Sequence, residues 1–161
     1  MTTTESTHRH VPRMQFAKAA PEVYKAMVAL DAAARKDVDP KLAELVKTRA
    51  SQLNHCAFCI DMHTKDARAA GESEDRLYLL NAWEEAVDLY TEKEQAALAL
   101  TEAVTVLTDG FVPDEVYERA AKHFEERELA QLIALILTIN AWNRIGVTTR
   151  LAPGAYKPSG H

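Results

Sequence analysis

Basic residues are in the minority. Lys and Arg number 19 against 24 Asp and Glu, a formal net charge of −5. With no basic block anywhere in the chain, a nucleic-acid-binding surface is not expected. No apolar run reaches the ~20 residues that a membrane-spanning helix needs. The longest candidate, Leu129 to Ile139, is flanked by Glu128 and Arg144, so no membrane partner is expected. The first residues, Met1 to Met14, are rich in Thr, His and Arg and lack the apolar stretch of a signal peptide. No Gly-rich phosphate loop and no Ser-centred nucleophile elbow occurs, so no nucleotide cofactor and no serine hydrolase chemistry is indicated. Alternating strands and repeats of fixed period are also missing.

Cysteine is scarcest among the reactive residues. There are two, Cys56 and Cys59. A secreted disulfide scaffold would carry more, spaced further apart. Two cysteines scattered at random in a chain of this length fall three apart roughly once in eighty trials, so the pair reads as two thiols that work together. This points to an intracellular, cytoplasmic protein.

The remainder is that of a soluble globular chain. Its 161 residues are 47% hydrophobic and 27% charged, enough for one domain that folds without a metal or disulfide staple. We expect a tail over 1–14, a helical domain over 15–155 and a short tail over 156–161. Pro21 opens a helix running to Arg35. Asp39-Pro40 pairs a cap with a first-turn proline and starts a second, carrying Leu42, Leu45, Val46 and Leu53. Asn54-His55 breaks it, and a third helix runs from near Cys56 to Gly71. A fourth spans Ser73 to about Glu85. Thr91 and Glu94 form a capping box for a fifth. Pro113 starts a sixth. The last runs from Glu126 to about Ile145 and is apolar nearly all round, as expected of a central helix or a subunit interface. The fold class is all-α, with six or seven helices.

At about 100° per residue, Cys59 lies about 300° around the third helix from Cys56, and His63 about −20° from it. All three side chains therefore share one face, with Cys59 and His63 one turn apart. The thiolate is the reactive form of cysteine. A helix N-terminus favours it, and a neighbouring histidine can take its proton. A carboxylate can orient that histidine, and Glu44 is the candidate. It forms a polar stripe with Thr48 and Ser51, which could face solvent or line a small site. We assign Cys59 as the attacking thiol because it lies one turn from His63. Cys56 resolves the sulfenic acid as a disulfide.

These residues resemble a known family. Glu44, eleven residues, Cys56-x-x-Cys59, three residues and His63 reproduce the signature of the alkyl hydroperoxidase D-like branch of the carboxymuconolactone decarboxylase-like superfamily. Ser51 and Asn54 stand where that family commonly has them. The run from Arg76 through Trp83 to Thr91, and the segment Ile139-Asn140-Ala141-Trp142-Asn143-Arg144, look like one large subgroup, so the likeness covers about residues 15–155. The resemblance implies an all-helical homo-oligomer, a trimer or a hexamer. It implies peroxidase activity on alkyl or hydrogen peroxide, re-reduced by an external dithiol. The nucleophile then falls on Cys59, the resolving residue on Cys56 and the proton relay on Glu44 and His63. One departure is Phe58, where the best-characterised type has a second histidine. The decarboxylase branch generally lacks the cysteine pair, so decarboxylation is not expected.

Two other readings compete. Cys56, Cys59 and His63, with Glu44 or His55, could hold zinc, although structural zinc usually draws on two separated ligand pairs and no second pair exists. The same thiols could also serve a redox sensor without turnover. Trp83 and Trp142 read as core or interface anchors, and Phe58 as a wall that keeps water from the thiols.

Overall fold

In the computed structural model, which describes residues 11–159, the chain forms eight α-helices and no strand among the described residues. They are α1 (Phe16–Ala19), α2 (Pro21–Arg35), α3 (Pro40–Leu53), α4 (Ala57–Ala69), α5 (Glu74–Leu79), α6 (Glu92–Thr105), α7 (Asp114–His123) and α8 (Glu126–Thr149). Two 3₁₀ stretches, Leu80–Glu85 and Val87–Leu89, link α5 to α6.

Local chemistry explains most boundaries. The Asp39 side chain accepts from the Leu42 amide at 2.9 Å, satisfying one of the free donors at the start of α3. Thr91 and Glu94 form the expected reciprocal box at α6, and Glu125 and Glu128 form a second one at α8.

Three boundaries differ from the sequence reading. The short α1 was not foreseen, which raises the count from seven helices to eight. The helix expected over 73–85 is α-helical only to Leu79, and then tightens to 3₁₀ with Ala82 at φ −129° and ψ 36°. The cause is tertiary. Leu77, Leu80 and Trp83 are all buried, and a spacing of three eclipses only in a helix of three residues per turn. Trp83 Nε1 then donates to Glu102 Oε1 at 2.7 Å. Finally, α8 does not stop at Ile145 but continues to Thr149, ending where Arg150 turns left-handed at φ 60°.

The 24-residue α8 is long enough, and at a mean hydropathy of 1.2 apolar enough, to cross a bilayer. Here it is the central strut, packed against α2, α3, α4, α6 and α7. Leu132, Leu135, Ile136 and Ile139 are essentially inaccessible, and join Val46, Ala97 and Leu100 in the interior. A second core under α5 holds Leu45, Leu77, Leu80, Trp83 and Leu98.

The described parts of both terminal segments lie on this bundle. Of the segment 1–14, residues 1–10 lie outside the described residues, but Arg13 N donates to Thr149 O at 2.8 Å. Beyond α8, Gly154 N donates to Asp61 Oδ2 at 2.9 Å and Lys65 Nζ to Tyr156 O at 3.2 Å. Residues 160–161 lie outside the described residues.

Candidate active site

The site begins at the corner between α3 and α4. His55 turns the chain in the left-handed region at φ 53° and is exposed, whereas Cys56 and Cys59 are buried. A polar staple ties this corner to α8. Asn54 Nδ2 donates to Asn140 Oδ1 at 2.9 Å and to Asn143 Oδ1 at 3.0 Å, and Asn143 Nδ2 donates to Ser51 Oγ at 2.9 Å. Ser51 in turn donates to Lys47 O at 2.7 Å. Such a satisfied buried network rigidifies what it joins, so Ser51 and Asn54 hold the frame on which the thiols sit.

Cys56 caps α4, with the Cys59 amide donating to its Sγ at 3.3 Å. The two cysteines are joined as a disulfide, with Cα atoms 5.2 Å apart. The pair lies under Gly146 of α8. A Cβ at Gly146 would stand 3.0 Å from Cys56 Sγ and 3.5 Å from Cys59 Sγ. Sequence reasoning overlooked Gly146. In a helix read as ending near Ile145 it is an ordinary C-terminal glycine, and only the extension of α8 to Thr149 puts it inside the helix, where glycine costs about 1 kcal/mol relative to alanine.

One α4 turn beyond Cys59, His63 is 2% exposed, and its Nδ1 lies 2.8 Å from Glu44 Oε2. The stripe Glu44, Thr48, Ser51 therefore faces inward, and all three side chains are buried. Glu44 Oε1 accepts from Arg35 Nη1 at 2.9 Å. Arg35 Nε donates to Asp31 Oδ2 at 2.8 Å, and the other Asp31 oxygen accepts from Lys47 Nζ at 2.6 Å. Lys47 is 1% exposed. Arg35, Asp31 and Lys47 were not singled out from the sequence, where the one available signal was the i, i+4 pair Asp31–Arg35.

The electrostatics follow from this chain of charges. Burial pushes the Glu44 carboxyl up, but its hydrogen bond to His63 and the charges of His63, Arg35 and Lys47 outweigh it and hold it below the ordinary range. Asp31 is likewise lowered: burial opposes ionisation, and Lys47 and Arg35 overcome it. Burial lowers Lys47, with Asp31 opposing. An ionised Glu44 accepts the Nδ1 proton of His63, and whenever the ring is neutral Nε2 is then its acceptor nitrogen.

A cavity of about 660 Å³ opens beside these groups. Its walls include Phe16, Tyr24, Phe58, Met62 and Trp142, and its polar lining includes Cys59, His63, Arg35 and Lys47. Cys59 lines it and Cys56 does not. Trp142 meets Tyr24 edge-on, with ring centroids 5.5 Å apart, so this tryptophan walls the cavity while Trp83 belongs to the core. Tyr156, from the C-terminal segment, also lines the cavity and donates from its hydroxyl to Asp66 Oδ1 at 2.7 Å. Burial and that carboxylate push its phenol up to about 12.

The metal-ligating groups that cluster among the described residues are Glu44, His63 and Asp66, within 4.8 Å of one another. Neither cysteine belongs to the set. Glu44 and His63 are bonded to each other and Asp66 to Tyr156, so each of the three has a hydrogen-bond partner within the chain.

An all-α bundle carrying a helix-capping cysteine pair beside a buried histidine–carboxylate couple defines the alkyl hydroperoxidase D-like class. The profile of the carboxymuconolactone decarboxylase family matches residues 21–103, and the chain belongs to that family, in its alkyl hydroperoxidase D-like branch. It is 43% identical over 136 residues to YdfG of Bacillus subtilis (strain 168), an uncharacterized protein, covering 84% of this chain and 92% of the relative. A protein of unknown function from Agrobacterium tumefaciens, suggested to be the antioxidant defence protein AhpD, superposes with a TM-score of 0.87 at 37% identity, covering 91% of this chain and all of its own. An uncharacterized peroxidase-related protein from Ralstonia eutropha JMP134, described as an alkylhydroperoxidase AhpD core, shares the fold with a TM-score of 0.75. Its identity is 19%, over 86% of this chain and 74% of its own.

Proposed function

We propose that the protein is a thiol-dependent peroxidase that reduces alkyl or hydrogen peroxide through Cys59 and Cys56. The observation that carries this reading is the placement of Cys59. It lines the cavity, within disulfide reach of Cys56 and one turn from the buried His63–Glu44 pair.

In the reduced protein, His63 Nε2 takes the Cys59 proton, and the thiolate attacks the terminal oxygen of RO–OH. The O–O bond breaks, and the leaving alkoxide receives the proton from His63. The products are ROH and a sulfenic acid on Cys59. The Cys56 sulfur then attacks the Cys59 sulfur, the hydroxyl leaves as water, and the disulfide forms. An external dithiol returns two electrons and two protons. Such a reductant belongs to a reducing compartment, which suits the cytoplasm. The exposed apolar side chains Val23 and Leu30 on α2, and Leu137 and Val147 on α8, offer surface for the homo-oligomer, trimer or hexamer, that the family resemblance implies.

The test mixes fully reduced protein with one equivalent of cumene hydroperoxide and follows intact mass and free thiols. The expected result is loss of both thiols and two mass units, abolished in Cys59→Ser, and repeated turnover when a dithiol is supplied. Thiols that stay reduced would refute the peroxidase reading. A single oxidation without turnover would make the pair a sensor.

A further inference from the structure

Four ionisable groups beyond the thiols and His63 form one unbroken chain: Lys47 to Asp31, Asp31 to Arg35, Arg35 to Glu44. The Cys59 chemistry above uses only the last of them. We infer that Arg35, held in place by Asp31 and Lys47, is a positioning residue of the site: it fixes the Glu44 carboxylate and balances its charge, so that His63 keeps a neutral Nε2 for Cys59.

The argument starts from Glu44, which is nearly inaccessible and has two oxygens to satisfy. His63 satisfies Oε2 and Arg35 satisfies Oε1. Without Arg35, Oε1 is a buried acceptor with no partner, and the cations left to act on the carboxylate are His63, bonded to it, and Lys47, bonded to Asp31. A carboxylate that has lost its guanidinium partner draws a second proton more readily onto the histidine bonded to it. A doubly protonated imidazole cannot accept the thiol proton. Arg35 stays charged at all working pH values, so it supplies the compensating charge without competing for a proton. Its fork geometry lets Nε hold Asp31 while Nη1 holds Glu44.

Stability does not account for this arrangement. The Arg35 side chain is 38% exposed, and ion pairs so open to solvent contribute little to folding. Lys47 is the costly member, a fully buried ammonium whose bonded carboxylate is Asp31. Through Asp31 it anchors the guanidinium from the other side. The groups facing Glu44 are thus Arg35 and Asp31 from α2, Lys47 from α3, His63 and Asp66 from α4, and Tyr156 from the C-terminal segment.

This inference deepens the peroxidase reading and rests on it for its biological meaning, but its test does not. The full chain carrying Cys56→Ser has one thiol, and the rate of Cys59 alkylation by iodoacetamide against pH reports its thiolate. In that background Arg35→Gln is expected to move the Cys59 titration down by about one pH unit, because the doubly protonated His63 then beside it stabilises the thiolate, a roughly tenfold faster alkylation on the acid side. Arg35→Lys, which keeps the charge, is expected to restore it. With Glu44→Gln also present, Arg35→Gln is expected to add little. Circular dichroism checks each fold, and Arg35→Met replaces Arg35→Gln if the latter does not fold. An unmoved titration in Arg35→Gln overturns the inference, as does an equal shift in Arg35→Lys. An upward shift overturns it too, because the lost guanidinium charge would then act on the thiol directly, and so does a downward shift that persists with Glu44→Gln. A chain that shows the expected titrations yet never consumes cumene hydroperoxide leaves the charge network standing and refutes the peroxidase reading alone.

Discussion

Gly146 and Cys56 are packed so closely that the space for a single methyl group on α8 is taken by the Cys56 sulfur, 3.0 Å from where that carbon would be. The bond to Cys59 prevents the sulfur from rotating away. In the reduced protein it can change rotamer.

Gly146→Ala therefore separates the two redox states. Alanine gains about 1 kcal/mol of helix propensity over glycine, while overpacking a tight contact costs about 1–3 kcal/mol. We expect the reduced variant to match or exceed the parent in stability, and the oxidised variant to fall below it. Denaturant midpoints measured in both states check this. Equal shifts in the two would show that the sulfurs do not press on α8.

His63→Gln tests the base. Glutamine can still hydrogen-bond to Glu44 but cannot carry a proton between Cys59 and the leaving oxygen. General acid–base groups contribute about 10²–10⁴-fold. We expect Cys59 oxidation at pH 7 to slow by at least ~10²-fold, with the thermal midpoint little changed. Stopped-flow mixing with cumene hydroperoxide measures the rate. A loss below tenfold would remove His63 from the proton path.

Acidification should act through Glu44. Its carboxyl is held below the ordinary 4.5 because its hydrogen bond to His63 and the surrounding cations outweigh the burial that would raise it. A depressed carboxyl adds stability above the unfolded value, and that stability is lost as pH falls through the folded value. Between pH 6 and pH 3 the parent should lose stability more steeply than Glu44→Gln, as followed by urea midpoints. Parallel curves would place the carboxyl at its ordinary value.

Tyr156→Phe should leave the fold intact and remove one hydrogen bond to Asp66. We expect a loss of about 0.5–1.5 kcal/mol. In an alkaline ultraviolet titration it should also abolish the phenol ionising near pH 12. A variant that retains that late ionisation would assign it to another tyrosine.

Much of the fold was legible from short-range chemistry. Pro21, the Asp39 cap and the Thr91–Glu94 box act within one helical turn, so α2, α3 and α6 begin where those residues say. Cys56, Cys59 and His63 ride on a single helix, and its pitch alone puts them on one face. The 3₁₀ tightening after Leu79 was not legible, because it is set by where Leu80 and Trp83 find core and by the Glu102 carboxylate that meets the indole.

For the site the division is the same. The motif Glu44, Cys56, Cys59, His63 was readable as a spacing, but the direction of the Glu44–Thr48–Ser51 stripe was not. A polar helix face is equally consistent with water and with a buried network until another helix covers it. Packing α4 and α8 on α3 decided that it faces inward. The same packing brought Arg35 and Asp31 from α2, Gly146 from α8 and Tyr156 from the C-terminal segment to the thiols. None of these carries a local signature of its role, since hydrogen bonding and helical pitch specify neighbours only a few residues away. Contacts such as Arg35–Glu44, 9 residues apart, and Asp66–Tyr156, 90 apart, exist only once burial of the apolar faces has fixed how the helices lie.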